Sequence, residues 1–227
     1  MSFVGYRTVE SESVTPYQYY LLSKRRLASN IFTTIFIYRR AKRLNAKHFA
    51  DVGCGPANVS RLLALILKRQ IVIDCYDVDL NMIKIAQKVA ASQRLTNIRF
   101  HLMSDESDLP GRASFDYVFS RYVLHHVDDK LEHLMRLKEM LNPGGEIWLE
   151  DVLKGANFQR AVLALQKKIA PIRSSTYKVG LEGFLESRIQ SLNKDQVISL
   201  SKGIEGGQLL SLHFGLFSWR LIFKRDL

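Results

Sequence analysis

Three sets of residues in this chain can do chemistry. The first is Asp51-Val52-Gly53-Cys54-Gly55-Pro56-Ala57. It follows His48-Phe49-Ala50 and precedes Val59, Leu62, Leu63, Ile66 and Leu67, whose spacing of three and four predicts one apolar face of a helix. Strand, tight turn and helix follow one another. Alternate glycines let the backbone bend sharply and approach a ligand, and the amides opening the helix offer donors to a negative group. The second set is a series of carboxylates. Asp77 ends the β-branched run Ile71–Tyr76, where an acid can take both hydroxyls of a ribose, because adjacent diols match its two oxygens. Asp79 rivals it and is better placed to cap the next helix; Asp105 and Glu106 follow a third apolar run. The third set is His125-His126. Histidine titrates near neutrality, so either one can serve as a general base, or one packs on a sheet while the other orients a loop. Together with His133 they lack a carboxylate at metal-ligand spacing, and no metal is expected.

Several ligand classes drop out. A dinucleotide turn needs a third glycine where Asn58 stands, so NAD and FAD are disfavoured, and no Gly-Lys-Ser or Gly-Lys-Thr phosphate loop occurs. At 227 residues and 47% hydrophobic the chain suits one α/β domain with appendages. No apolar run approaches the roughly 20 residues of a membrane span, and no secretory leader is recognisable, so a cytoplasmic protein is expected. Cys54 and Cys75 suit neither a disulfide framework nor a zinc site, and read as small buried residues. The net charge of +11 divides into +7 over residues 1–50, −2 over 51–150 and +6 over 151–227. Basic character belongs to the two flanks.

The elements that must position these residues can be read in order. Residues 1–13 form a polar arm; Pro16 opens a Tyr-rich helical stretch to Leu27 holding Tyr17, Tyr19 and Tyr20, and a second helix covers Asn30–Leu44 with Ser29 or Asn30 as its cap. Strands are expected at Ile71–Asp77, Asn97–Leu102, Phe115–Ser120 and Glu146–Glu150, and helices at Asn81–Ser92 and Leu131–Leu141, the latter stopped by Asn142-Pro143-Gly144-Gly145. Phe158–Ala170, Gly183–Leu192 and Asp195–Lys202 read as helices around a basic loop, Arg173–Lys178. Gln208–Phe214 and Phe217–Lys224, split by Gly215, read as a closing hairpin.

Asp51-x-Gly53-x-Gly55-x-Ala57, Asp77-Val78-Asp79, Asp105-x-x-x-Leu109-Pro110, Phe115-Asp116-x-Val118 with Leu124-His125-His126-Val127, and Leu141-Asn142-Pro143-Gly144-Gly145 resemble, in order and separation, the motifs of class I S-adenosylmethionine-dependent methyltransferases. The resemblance covers roughly residues 45–225. It implies a Rossmann-like, doubly wound α/β fold whose seven-stranded sheet is mostly parallel with an antiparallel last strand. N-terminal lid helices (1–44) would precede the cofactor domain (45–227), with a cap insert at about 152–200 after the fifth strand. It further implies S-adenosylmethionine as cofactor: Gly53, Cys54, Gly55 and Ala57 for its methionine part, Asp51 for the amino group, Asp77 and Val78 for the ribose, Asp105 and Glu106 for the adenine, and Arg121 and Tyr122 under the sulfonium. Tyr122, His125 and His126 are the candidate catalytic residues. The basic flanks point to an anionic acceptor, first a small metabolite. A substrate on an acidic carrier protein steered by Arg25, Arg26, Arg39 and Arg40, an RNA, and a non-catalytic cofactor-binding module are the alternatives.

Overall fold

The computed structural model describes residues 26–155, 190–215 and 218–227, excepting the side chains of Arg69 and Glu106. Its strands are β1 (His48–Val52), β2 (Val72–Asp77), β3 (Ile98–Leu102), β4 (Phe115–Arg121), β5 (Leu141–Val152), β6 (Gly207–Phe214) and β7 (Ser218–Arg225). They form one seven-stranded sheet in the order β3-β2-β1-β4-β5-β7-β6. β1 through β5 run parallel, while β7 pairs antiparallel with both β5 and β6. The strand order reverses beside β1, so the turn after β1 opens at the switch point where open α/β sheets hold ligands.

Alternation along each strand feeds two cores. On one face α1 (Leu27–Arg43), α2 (Asn58–Leu67) and α3 (Leu80–Ser92) bury Ile37, Leu63, Ala64, Ile83 and Ala86 against Phe49, Ile73, Tyr117, Phe119 and Trp148. On the other face α4 (Lys130–Glu139) and α5 (Lys194–Lys202) bury Leu134, Leu137 and Val197 against Ala50, Val52, Val118, Ile147 and Trp219. Successive side chains point to opposite cores, so β1, β2 and β4 are buried at almost every position, as a sheet covered by helices on both faces requires.

Local chemistry sets most boundaries. Asp79 caps α3, accepting from the amides of Asn81 and Met82 at 2.7 and 3.3 Å, and Asn193 and Gln196 form a reciprocal capping box on α5.

Four sequence readings need correction. Ser29 and Asn30 do not cap the second helix: α1 starts at Leu27 with no side-chain cap, because both side chains accept from Arg121 across the fold. The face of α2 turned to the core is Val59, Ser60, Arg61, Leu63 and Ala64, whereas Ile66 is 51% exposed. α4 ends at Glu139, and Asn142–Gly145 is not a free turn but a bulge within β5, where the register jumps from Phe115 opposite Leu141 to Tyr117 opposite Glu146. Arg40 is not available for steering a partner, since it forms a two-pronged pair with the buried Glu146 at 2.7 and 2.8 Å. The arm at 1–13, the tyrosines at 17, 19 and 20, Arg25, the helix at 158–170, the loop at 173–178 and residues 183–189 of the helix expected at 183–192 lie outside the described residues.

Candidate functional site

The turn after β1 is held open by three left-handed residues at alternate positions: Gly53 (φ 73°), Gly55 (φ 52°) and Ala57 (φ 53°). Gly53 has no substitute, because a Cβ there would run into Cγ2 of Val123. Ala57 takes the third left-handed position at a cost of about 1–2 kcal/mol relative to the ordinary backbone region. Three bonds tie the turn to β2. The amides of Gly53 and Cys54 donate to the Tyr76 carbonyl at 2.8 and 3.0 Å, and that of Gly55 donates to Asp77 Oδ2 at 2.6 Å.

The cavity above this turn is lined by Asp51, Gly53, Cys54, Gly55, Pro56, Asn58 and Val59 on one side and by Arg26, Asn30, Phe119, Arg121 and Tyr122 on the other. Asp51 lies at its floor, buried, and accepts from the Ser60 hydroxyl. Burial is the largest influence on this carboxyl and pushes its pKa up to about 7; the Ser60 bond and Arg121 oppose the rise and Asp77 adds to it. Asp77 is also buried, and its pKa is raised by burial against the pull of the Asp79 and Gly55 amides. Its second oxygen accepts from the Asp79 amide at 2.9 Å. A carboxylate has about four acceptor sites, so these two bonds orient Asp77 without exhausting it. Val78 beside it is half-buried.

Arg121 ends β4, and each nitrogen of its guanidinium has a partner. It donates from Nε to Glu150 Oε2 at 2.7 Å, from one terminal nitrogen to Asn30 Oδ1 at 2.6 Å and from the other to Ser29 Oγ at 2.5 Å. Glu150 also accepts from Arg220 Nε at 2.8 Å. This cluster fastens the N-terminal end of α1 to the C-terminal edge of the sheet and so builds the far wall of the cavity. Tyr122 next to it is left-handed (φ 61°), with the guanidinium carbons of Arg26 and Arg121 at 5.3 and 4.8 Å from its ring centroid. The Tyr122 ring is therefore a cation-flanked surface facing the cavity.

His125 and His126 are set back from that lining, in the short turn Leu124–His126. His125 is clamped by Asp151: its backbone amide donates to Oδ2 at 2.8 Å and its Nδ1 lies 2.6 Å from Oδ1. The His126 ring centroid lies 4.0 Å from that of His125. Asp105 follows β3 at the same edge of the sheet, and its Oδ1 accepts from the Ser107 amide at 2.6 Å, closing the one-turn helix Glu106–Asp108. The Glu106 side chain lies outside the described residues. Among the described residues no three His, Cys, Asp or Glu side chains gather as a metal site needs.

The structure thus brings Asp51, Gly53, Cys54, Gly55, Arg121 and Tyr122 onto one cavity, with Ala57 and Asp77 shaping the turn beneath. It leaves the two histidines and Asp105 beside the cavity. The sequence reading missed Ser60, Asn30, Glu150 and Asp151. The adjacent acids Glu150-Asp151 at the end of an apolar strand were the one visible signal, since carboxylates are seldom buried without a partner.

Residues 50–147 match the family model described as a methyltransferase domain. The chain is 31% identical over 126 residues to the tRNA U34 carboxymethyltransferase of Shewanella sp. (strain W3-18-1); the match covers 55% of this chain and 37% of that protein, so this chain spans well under half of the relative's length. Among solved structures, a SAM dependent methyltransferase from Aquifex aeolicus superposes with a TM-score of 0.59 at 14% identity, over 83% of this chain and 88% of that one. Magnesium protoporphyrin IX methyltransferase from Synechocystis PCC 6803, solved with bound SAH, gives a TM-score of 0.60 at 15% identity, over 98% and 90%. Together with the strand order, the reversed β7 and the glycine turn at the switch point, these likenesses make the fold that of the solved methyltransferases, and the match over residues 50–147 is to a methyltransferase domain.

Proposed function

We propose that the chain binds S-adenosylmethionine over the 53–57 turn and directs its methyl group to a small anionic acceptor in the cytoplasm. One observation carries this reading: the glycine turn with its buried acid shares a single cavity with Arg26, Arg121 and Tyr122. When bound, the cofactor supplies an electrophilic methyl on a sulfonium. Displacement there needs alignment and exclusion of water rather than a covalent nucleophile. Asp51 receives the cofactor's ammonium, Asp77 and Val78 the ribose, and Asp105 with Glu106 the adenine, while Arg26 and Tyr122 hold the acceptor's negative group. For a hydroxyl acceptor, His126 takes the proton and the His125–Asp151 pair fixes the turn that carries it.

The test is calorimetry with S-adenosylmethionine and its demethylated product, followed by transfer of labelled methyl to panels of aromatic carboxylates, phenolates and RNA. Binding followed by turnover on the small acids supports the proposal; binding with no turnover on any panel favours a non-catalytic module. RNA is the second reading. It is favoured by the tRNA-modifying relative and by the net charge of +11, and labelling of RNA alone would replace the first. A carrier-protein substrate keeps Arg39 as an exposed steering cation but not Arg40.

Two expected results follow here. His126→Ala should lower the turnover rate on a hydroxyl acceptor by roughly 100-fold or more, the usual worth of a general base, with cofactor affinity unchanged; a variant with wild-type rate leaves only positioning to this residue.

Asp51 gives the second. Its carboxyl ordinarily ionises near 3.8 and is pushed up to about 7 in the fold, so between those values the folded protein keeps a proton that the unfolded chain has lost. That contribution therefore lowers stability as pH rises from about 4 to 7. An ammonium ligand selects the ionised form, so cofactor affinity should rise between pH 6 and about 7.5, below the range where an α-amine itself deprotonates. Calorimetry in two buffers of different ionisation enthalpy should detect proton release at pH 6, and a flat affinity over this range would remove Asp51 from the ammonium.

A further inference from the structure

Helix α1 has two unlike faces. Inward it buries Asn30, Thr33, Thr34, Ile37 and Ala41. Outward it shows Leu27, Ile31, Phe32, Ile35 and Phe36, which are 57, 41, 75, 39 and 39% exposed. At these spacings the five side chains lie on one stripe about three turns long. Phe36 reaches Trp148 at the margin of the stripe, with ring centroids 6.2 Å apart. At the C-terminal end of the helix the exposed residues change character to Arg39, Lys42 and Arg43, followed by Lys47. Scattered surface leucines need no explanation, but five large apolar side chains in a row bordered by cations do.

We propose that this face of α1 docks on a lipid bilayer that carries anionic headgroups. The helix has 17 residues, one face of which is packed on the protein, which suits lying in the plane of the interface rather than crossing it. Among the described residues no helix is long and apolar enough to span a membrane. Aliphatic side chains decide between lipid and RNA. Bases stack on aromatic planes and phosphates pair with cations, so Leu27, Ile31 and Ile35 would gain nothing from a nucleic acid, whereas all five gain by entering the acyl boundary. The cations at the C-terminal end then meet the headgroups, and the concentration of positive charge in residues 1–50 supplies attraction at longer range. Arg26 and Asn30, which line the cofactor cavity, sit at the opposite end of the same helix, so the docked surface and the cavity mouth are neighbours. Docking does not depend on the proposed reaction.

The test uses the full chain in flotation with vesicles of phosphatidylcholine alone and with roughly a third phosphatidylglycerol. The protein should float with the anionic vesicles, less with the neutral ones, and less again at high salt. Phe32→Asp, at a position exposed enough to spare the fold as checked by circular dichroism, should lower partitioning by about tenfold or more. The combined Arg39→Glu, Lys42→Glu and Arg43→Glu variant should lose the preference for anionic lipid. Absence of flotation with anionic vesicles overturns the proposal, as does flotation that Phe32→Asp leaves unchanged. RNA binding or concentration-dependent dimerisation that is lost with Phe32→Asp, in a protein that ignores vesicles, overturns it in favour of a nucleic-acid or self-association surface.

Discussion

Asp77→Ala is expected to weaken cofactor binding by about 1.5–3 kcal/mol, the range for hydrogen bonds to a charged group, which is roughly ten- to a hundredfold in affinity. The reason is double. The carboxylate is the proposed acceptor for the ribose hydroxyls, and it also holds the amides of Gly55 and Asp79, so its removal loosens the turn that forms the cavity. Asp77→Asn separates the two roles, because a neutral amide retains one oxygen for Gly55 but loses the charge that strengthens bonds from hydroxyls. Titration calorimetry with the demethylated cofactor is the measurement. Alanine and asparagine variants that both bind like the parent would take Asp77 out of the ribose site.

Arg121→Ala should cost about 3 kcal/mol of folding stability, at the lower end of the range for removing one partner from a buried ion pair. Glu150 is 2% exposed and would keep as its cation only Arg220, whose own side chain is 53% exposed, beside a long 3.4 Å bond from the Ser218 hydroxyl. Ser29 and Asn30 would lose their shared donor at the same time, releasing the first turn of α1 from β4. Cofactor affinity should fall with stability, since Arg121 and Asn30 both line the cavity. Urea unfolding reads the first effect and calorimetry the second. A loss below about 1 kcal/mol would mean that the cluster is no more than a surface pair in energetic terms.

The parts of the site that could be read from the chain alone are those dictated over a few residues. Gly53-Cys54-Gly55 could be recognised because left-handed backbone has few permissible side chains, and Asp79 because a capping acid acts two and three residues ahead of itself. The parallel strands β1, β2 and β4 read as short, nearly continuous apolar runs, as a sheet covered on both faces requires. The misreadings came where long-range partners overrode a local preference. Ser29 and Asn30 have the chemistry of helix caps, yet each is engaged by an arginine about ninety residues away. Ile66 fits the helical stripe by spacing, yet α2 turns Ser60, Arg61 and Ala64 inward, where Ser60 meets Asp51.

The histidines mark the same division more sharply. Their presence after the fourth strand was evident from sequence, but nothing near them in the chain indicated that Asp151, at the end of β5, would hold His125 by both its backbone and its ring. Sequence by itself determined the βα order, the sharp turn after β1 and the acids that follow β2 and β3, because sterics and periodicity act between neighbours. Only the tertiary structure decided which partner each buried carboxyl meets, Asp51 with Ser60, Glu150 with Arg121 and Asp151 with His125. A charged group leaves water only for a partner brought to it by packing, and that partner is chosen by the sheet's register rather than by distance along the chain.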